Sequence, residues 1–318
     1  MKYVVTGGSG FVGRHLVEFL LENNHDVIII DNLSNSKLES ISNFYDDVDF
    51  HKLDILEKEK LKPIIKNSDG IFHQAALADV QESFIQTQKY CDVNVLGTKN
   101  IFELSEELGL KTVFASSSSI YGNPTEIPIV ETTQRLPLNP YGQTKLEDEF
   151  LAEKFSKNGL SIIGLRYFNI FGSGQSNSYA GVITKFIKNA FEKKLLKING
   201  DGEQTRDFVY VGDVVRANLL AMESKTQFGF MNIGSGVPIS ILKLAQMIIQ
   251  KFDLKSEPVF NKSLEGDIKD SQANIDLVKN LLNWTPNITL DEWLTSQIND
   301  MWYPFFVIII IDHILNSI

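Results

Sequence analysis

The opening stretch MKYVVTGGSGFVGRHLVEF, residues 1–19, sets a β-branched run directly before glycines at 7, 10 and 13, followed by an amphipathic run. Lys2 to Thr6 predicts a short buried strand, and Phe11, Val12, Leu16, Phe19 and Leu20 recur at helical spacing. Glycines three apart let the chain turn tightly, approach a ligand closely and pack the next helix on a sheet. That geometry suits a pyrophosphate resting on the amides at the helix start. An ordinary glycine-rich strand-to-helix turn looks the same, and a further feature favours the dinucleotide reading. A second apolar run, Val27 to Ile30, ends in Asp31, at the distance where an acidic residue binds the adenosine ribose hydroxyls. A carboxylate there favours NAD, because a 2′-phosphate would meet a like charge.

Outward from this unit, strand-like stretches at Val48 to Leu53, Gly70 to His73, Thr112 to Ser116 and Ile162 to Tyr167 alternate with helical patterns. Alternation of this kind implies right-handed crossovers and a parallel sheet with helices on both faces. The expected architecture is α/β, a Rossmann-type doubly wound parallel sheet with a smaller, partly interleaved C-terminal substrate domain. The run GSGQSNSY, 172–179, marks a loop where the chain leaves the first domain. The expected boundaries are 1–172 for the dinucleotide domain, with 208–238 returning to it, and 173–207 with 239–318 for the second, which holds a helix pair near Ile241 to Phe252 and Ile275 to Leu282.

Composition narrows the classes. The 318 residues are 43% hydrophobic and 22% charged with a net charge of −10, ordinary for a chain that buries a real core. Nothing basic tracks a nucleic-acid backbone. The single cysteine, Cys91, excludes an intramolecular disulfide framework and a thiolate-rich metal site, so no metal is expected and a reducing, cytoplasmic setting fits. The chain opens on a strand, with no cleavable signal expected before it.

The candidate chemistry lies mid-chain. PYGQTKLEDEF, 140–150, places Tyr141 and Lys145 four apart, on one face if the segment is helical. A free tyrosine ionises near pH 10; bringing that to about 7 takes about 4 kcal/mol, which a nearby cation at reduced dielectric can supply. A surface Tyr and Lys on an amphipathic helix share this spacing, and the upstream hydroxyls weigh against it. VFASSSSIYGNP, 113–124, runs from an apolar strand into Ser116 to Ser119, at the strand's carboxyl end, where open sheets bind ligands. No histidine falls in these segments and no nucleophile–base–orienter set is evident, so covalent hydrolase chemistry is unsupported.

With these residues in place, the chain resembles the extended short-chain dehydrogenases/reductases, and within them the UDP-sugar 4-epimerases, particularly those acting on UDP-N-acetylhexosamines. TGGSGFVG, DNLSNS, HQAAL, VNVLGT, SSSSIYG, PYGQTK, LRYFNIFG, NGDGEQTRDFVYVGD and NIGSG occur in family order over almost the whole chain. The resemblance implies that Gly7, Gly10, Phe11 and Val12 contact the NAD pyrophosphate, Asp31 and Asn32 the adenosine ribose, and Asp54 and Ile55 the adenine. It also implies that Ala75, Ala76 and Leu77 line the cofactor channel, that Ser117 is the catalytic hydroxyl, Tyr141 the base and Lys145 its partner. Ser118, Ser119, Asn169, Arg206 and Ser271 are implied to meet the UDP-sugar, Arg206 at the diphosphate and Ser271 at the C2 substituent. A homodimer is implied as well.

Other outcomes within and beyond the superfamily stay open at this stage. A 4,6-dehydratase carries an acid pair where this chain has Ser118 and Ser119, which disfavours dehydration. A UDP-uronic acid epimerase or decarboxylase needs a cation for the C6 carboxylate, and a non-catalytic NAD or nucleotide-sugar sensor is the reading from a different class. Two departures stand out: Leu264 replaces an arginine the epimerases use at the UDP phosphates, with Lys262 close by, and Ala78 occupies a position that is lysine in some relatives. The apolar run Trp302 to Ile311, bracketed by Pro304 and Asp312, is too short for a transmembrane span and is expected to pack on its own chain, a partner subunit or a membrane surface.

Overall fold

The computed structural model describes residues 1–175, 181–263, 266 and 268–297. Its first half alternates strand and helix: β1 (Lys2–Thr6), α1 (Phe11–Glu22), β2 (Asp26–Asp31), β3 (Asp49–Lys52), α2 (Lys58–Ile65), β4 (Gly70–His73), α3 (Val80–Ile85), α4 (Thr87–Tyr90), a π-helical stretch Cys91–Leu96, α5 (Gly97–Leu108), β5 (Lys111–Ser117), α6 (Pro140–Lys157) and β6 (Ile162–Tyr167). The remainder holds β7 (Asn169–Phe171), α7 (Val182–Phe191), β8 (Lys197–Asn199), β9 (Thr205–Tyr210), α8 (Val211–Glu223), β10 (Phe228–Ile233), β11 (Pro238–Ser240), α9 (Ile241–Lys251), β12 (Val259–Asn261) and α10 (Asp276–Leu282), with residues 290–297 helical.

Seven strands form one parallel sheet in the order β10-β6-β5-β4-β1-β2-β3. This is the doubly wound Rossmann-type architecture that the alternation predicts. The strands read as unbroken apolar runs because both faces are covered. On one face Leu16, Val17 and Leu20 of α1, Val214 and Val215 of α8 and Val278 of α10 pack in one core. On the other, Leu61 of α2, Ile101 and Phe102 of α5 and Phe155 of α6 form a second.

The chain order reverses between β1 and β4, which pair with Val5 opposite Phe72. A crevice opens at the carboxyl ends of strands at such a switch point. Beyond it β11, β9 and β7 form a small sheet, β9 running parallel to β7 and antiparallel to β11, and β12 pairs with β8. A third core, with Phe186 of α7, Leu244 of α9 and Trp293, sits under these elements. The loop expected at 172–179 is described only to 175, and Leu264 and the apolar run Trp302 to Ile311 lie outside the described residues. Among the described residues no helix is long and apolar enough to cross a membrane.

Candidate active site

A cleft of about 1160 Å³ lies at the switch point, and it gathers the residues that the family resemblance implies for cofactor, catalysis and UDP-sugar. Gly7, Gly10, Phe11, Val12, Asp31, Asn32, Asp54, Ile55, Ala75, Ala76 and Leu77 line one end; Ser117, Ser118, Ser119, Tyr141, Lys145, Asn169, Arg206 and Ser271 line the remainder.

At the glycine end, bare backbone is a steric requirement. Gly7 has φ +68°, and a Cβ there would stand 2.7 Å from the Ala75 backbone; a Cβ on Gly13 would stand 2.0 Å from the Gly7 carbonyl oxygen. The turn therefore closes only with hydrogens at these positions, leaving a cradle at the start of α1 that fits a pyrophosphate. Asp31, at the tip of β2, accepts from the Ser9 amide at 3.0 Å and the Leu33 amide at 2.8 Å, tying the glycine turn to the loop after β2. Asn32 Nδ2 donates to Asp54 Oδ2 at 2.7 Å, which joins that loop to the segment after β3.

Leu77 is held from behind by Asn94, whose Oδ1 accepts from the Leu77 amide at 2.8 Å and whose Nδ2 donates to the Leu77 carbonyl at 3.0 Å. The same Nδ2 reaches Thr144 Oγ1 on α6 at 3.0 Å. Asn94 stands in the π-helical stretch Cys91–Leu96, and the extra residue in that turn is the local departure that accompanies its inward placement. The sequence reading quoted VNVLGT without assigning Asn94 a task.

The polar end is built on α6 and the tip of β5. Asn139 caps α6, accepting from the Gly142 amide at 2.8 Å, and Pro140 opens its first turn. Tyr141 and Lys145 thus fall one turn apart on the helix, both on the cleft wall. Ser117 Oγ and Ser119 Oγ lie 2.5 Å apart, and Ser116 Oγ donates to Glu149 Oε1 at 2.7 Å. Glu149 is fully buried and receives Arg166 on two prongs, Nε at 2.8 Å and Nη2 at 2.8 Å. This pair locks β6 to α6 behind the serines.

Two other phenols nearby are tied up. Tyr121 donates to Asn232 Oδ1 at 2.7 Å, Tyr167 donates to Gln74 Oε1 at 3.1 Å and accepts from Asn218 Nδ2 at 2.8 Å, and burial pushes both phenols well above their ordinary value. Neither can serve as a base near neutral pH. Lys145 is 3% exposed, and its Nζ donates to Asp148 Oδ2 at 3.1 Å. Beneath them the His73 ring bridges Thr6 Oγ1 at 2.7 Å and Thr98 Oγ1 at 2.9 Å. Burial, followed by the charge of Lys145, pulls His73 down to about 3, so the ring is neutral. The sequence reading missed both His73 and Asp148.

At the far end Arg206, on β9, donates to the Thr205 carbonyl at 2.6 Å. Ser271 is 4% exposed, and its amide bonds Thr205 Oγ1 at 3.2 Å. Asp207, fully buried, accepts from the Ser235 amide at 2.6 Å, the Gly236 amide at 2.9 Å and the Ala273 amide at 2.9 Å. Those bonds fasten β9 to the segment carrying Ser271. Among the described residues, the lysines and arginines lining the cleft are Arg14, Lys37, Lys145 and Arg206. Lys262 is exposed and is not part of the cleft lining.

Comparison with known proteins agrees with this geometry. Residues 3–234 match the model of the NAD dependent epimerase/dehydratase family. A protein of Methanocaldococcus jannaschii described as a putative UDP-glucose 4-epimerase is 37% identical over 94% of this chain and 97% of its own. A UDP-glucuronate 4-epimerase of Thermodesulfobacterium geofontis is 33% identical over 93% and 95%. The solved UDP-N-acetylglucosamine 4-epimerase of Methanobrevibacter ruminantium, in complex with UDP-N-acetylmuramic acid, superposes with a TM-score of 0.88 at 34% identity, covering 94% of this chain and 97% of its own. With a glycine cradle at the switch point and a family match spanning the whole sheet, the chain belongs to the NAD dependent epimerase/dehydratase family.

Proposed function

We propose that the protein epimerises UDP-hexoses at C4, with UDP-GlcNAc and UDP-GalNAc as its principal pair and UDP-Glc and UDP-Gal accepted more weakly. The observation that carries this reading is the meeting of Tyr141, Lys145 and the Ser117 hydroxyl in the same cleft as the glycine cradle. Gly7, Gly10, Phe11 and Val12 would hold the NAD pyrophosphate, Asp31 and Asn32 its adenosine ribose, Asp54 and Ile55 the adenine, and Ala75 to Leu77 the channel wall. The cofactor would occupy the part built by 1–172 and the returning 208–238, and the UDP-sugar the part built by 173–207 and 239 onward. NAD supplies, when bound, the acceptor and donor of hydride that take C4 to the ketone and back.

Tyr141 takes the 4-OH proton and later returns it, Ser117 bridges sugar oxygen and phenol, and Lys145 holds the nicotinamide ribose hydroxyls. Arg206 grips the UDP diphosphate, Asn169, Ser118 and Ser119 contact the sugar, and Ser271 leaves room at C2. Inversion requires the keto sugar to turn about the diphosphate linkage and present its other face.

A uronic acid substrate is disfavoured by the distribution of cations. Of the four cations on the lining among the described residues, Arg206 is assigned to the diphosphate, Lys145 is paired with Asp148, Arg14 Nη2 donates to the Ser173 carbonyl at 2.9 Å, and Lys37 follows β2 at the end assigned to the adenosine ribose. The exposed apolar side chains Ile85, Leu96 and Phe150, on α3, the π-helical stretch and α6, support the homodimer that belongs with this reading, in a cytoplasmic setting. The test is to incubate the purified protein with UDP-GlcNAc, UDP-Glc and UDP-GlcA separately and resolve the products. Conversion of UDP-GlcNAc foremost is expected. Exclusive turnover of UDP-GlcA, or release of carbon dioxide from it, would replace the proposal with the uronic acid epimerase or decarboxylase reading, and binding without turnover of any of the three with the sensor reading.

A further inference from the structure

Lys145 does not stand alone behind the cleft. Its Nζ donates to Asp148 Oδ2 at 3.1 Å, and Asp148 is fully buried, off the cleft lining, one turn further along α6. Asp148 Oδ1 has no hydrogen-bond partner. Beside this buried carboxylate stand the Thr98 hydroxyl and the Lys145 ammonium, and only the ammonium can offset its charge. The other ionisable groups around the pair are accounted for: His73 on β4 is neutral between two threonine hydroxyls, Glu149 is taken up by Arg166, and Tyr167 on β6 is a neutral donor. Among the described residues, the net charge that Asp148 meets within hydrogen-bond distance is that of Lys145.

We propose that Asp148 is the positioning residue for Lys145: it fixes the ammonium against the cleft wall, leaves its remaining N–H groups for the cofactor, and offsets part of its charge at the Tyr141 phenol. The proposal rests on the roles given above to Tyr141 and Lys145. Burial pushes Asp148 up to about 6 against the pull of Lys145, so near pH 7.5 the carboxylate carries the charge this task needs.

Asp148→Asn separates the two parts of the task, because an amide oxygen still accepts from Nζ while the negative charge is gone. In the variant the acid limb of the kcat/KM profile should move to lower pH by about one unit, since the lysine charge then acts on the phenol undiminished. Ultraviolet difference titration of cofactor-stripped protein, with Tyr141→Phe as the subtracted reference, should show the phenolate signal starting at correspondingly lower pH. A profile and a titration that coincide with the wild type, or move the other way, overturn the proposal. An active Tyr141→Phe protein would instead defeat the underlying reading, so the two failures are distinct. If Asp148→Asn does not fold, Lys145→Met serves: stripped of its partner, the buried carboxyl should keep its protonated C=O infrared band to pH values where the wild type has lost it. An unchanged band overturns the pairing.

Discussion

His73 offers the sharpest physical test of the polar layer under the site. Its ring is fully buried and satisfied as a neutral group by the Thr6 and Thr98 hydroxyls, which can each donate or accept. In the fold it titrates at about 3, against 6.5 in an exposed ring, because burial and then Lys145 oppose a second positive charge there. Between those values the unfolded chain binds a proton that the folded chain refuses, so stability is lost as pH falls from about 6.5 toward about 3. Lowering the pH from 7 to 5 should therefore remove about 2 kcal/mol through this residue alone.

Asp148 works in the opposite sense. Its folded value of about 6 lies above the ordinary 3.8, so the folded chain takes up a proton first and acidification over the same interval returns about 1 kcal/mol. The wild-type pH dependence mixes the two, and a His73→Gln comparison isolates the histidine. Urea unfolding of both proteins at pH 7 and pH 5 is the assay. The stability difference, wild type minus variant, should shrink by about 2 kcal/mol at the lower pH. A difference that holds constant would mean that the folded protein accommodates the imidazolium, and the account of a neutral ring beside Lys145 would be wrong.

Tyr141→Phe should keep the fold and its NAD while losing on the order of 10²-fold or more in turnover, the scale of a missing acid–base group; near-normal rates would remove Tyr141 from the mechanism. The protein should purify with NAD and prefer it to NADP, because Asp31, proposed to bind the adenosine ribose, would repel a 2′-phosphate; calorimetric titration favouring NADP would contradict that ribose assignment. Ser271→Tyr should suppress turnover of UDP-GlcNAc and UDP-GalNAc while sparing UDP-Glc and UDP-Gal, since overfilling a buried wall excludes the larger C2 group; equal loss on all four sugars, or on none, would displace Ser271 from the pocket.

The fold was legible because its signals are local and repeated. The strand at 2–6, the glycines at 7, 10 and 13 and the helix from Phe11 carry period and turn chemistry within a single stretch, and β2, β4, β5 and β6 repeat the same short apolar run. Boundaries drifted by a residue or two where polar residues extend a strand: Val48 to Leu53 narrows to Asp49–Lys52, and Val27 to Ile30 widens to Asp26–Asp31. β7 and β11, which flank β9 in the small sheet, carry no comparable signal, since three-residue strands are below the length at which alternation can be read.

The site divides along the same line. Residues on the cleft wall were legible because family order and the switch-point rule both place them there. The layer behind the wall was not, because its residues are charged or polar in a helix whose written pattern looks solvated. KLEDEF, 145–150, reads as an exposed acidic run, yet Lys145, Asp148 and Glu149 are all buried. What makes that burial tolerable is a cation for each carboxylate: Arg166 from β6, with Arg135 from the loop before α6, for Glu149, and Lys145, three residues earlier on the same helix, for Asp148. A helix-local pattern does not reveal the Arg166 partner, since that ion pair exists only once the sheet has brought α6 against β6, and the i,i+3 spacing of Lys145 and Asp148 reads equally as an exposed surface pair. The same dependence explains the function of the layer. Because Glu149 of α6 is buried against Arg166 of β6, a displacement of α6 that moved Tyr141 and Lys145 away from Ser117 would also break that pair, and the cost of leaving a buried carboxylate unpaired holds the helix, and with it Tyr141 and Lys145, in register with Ser117.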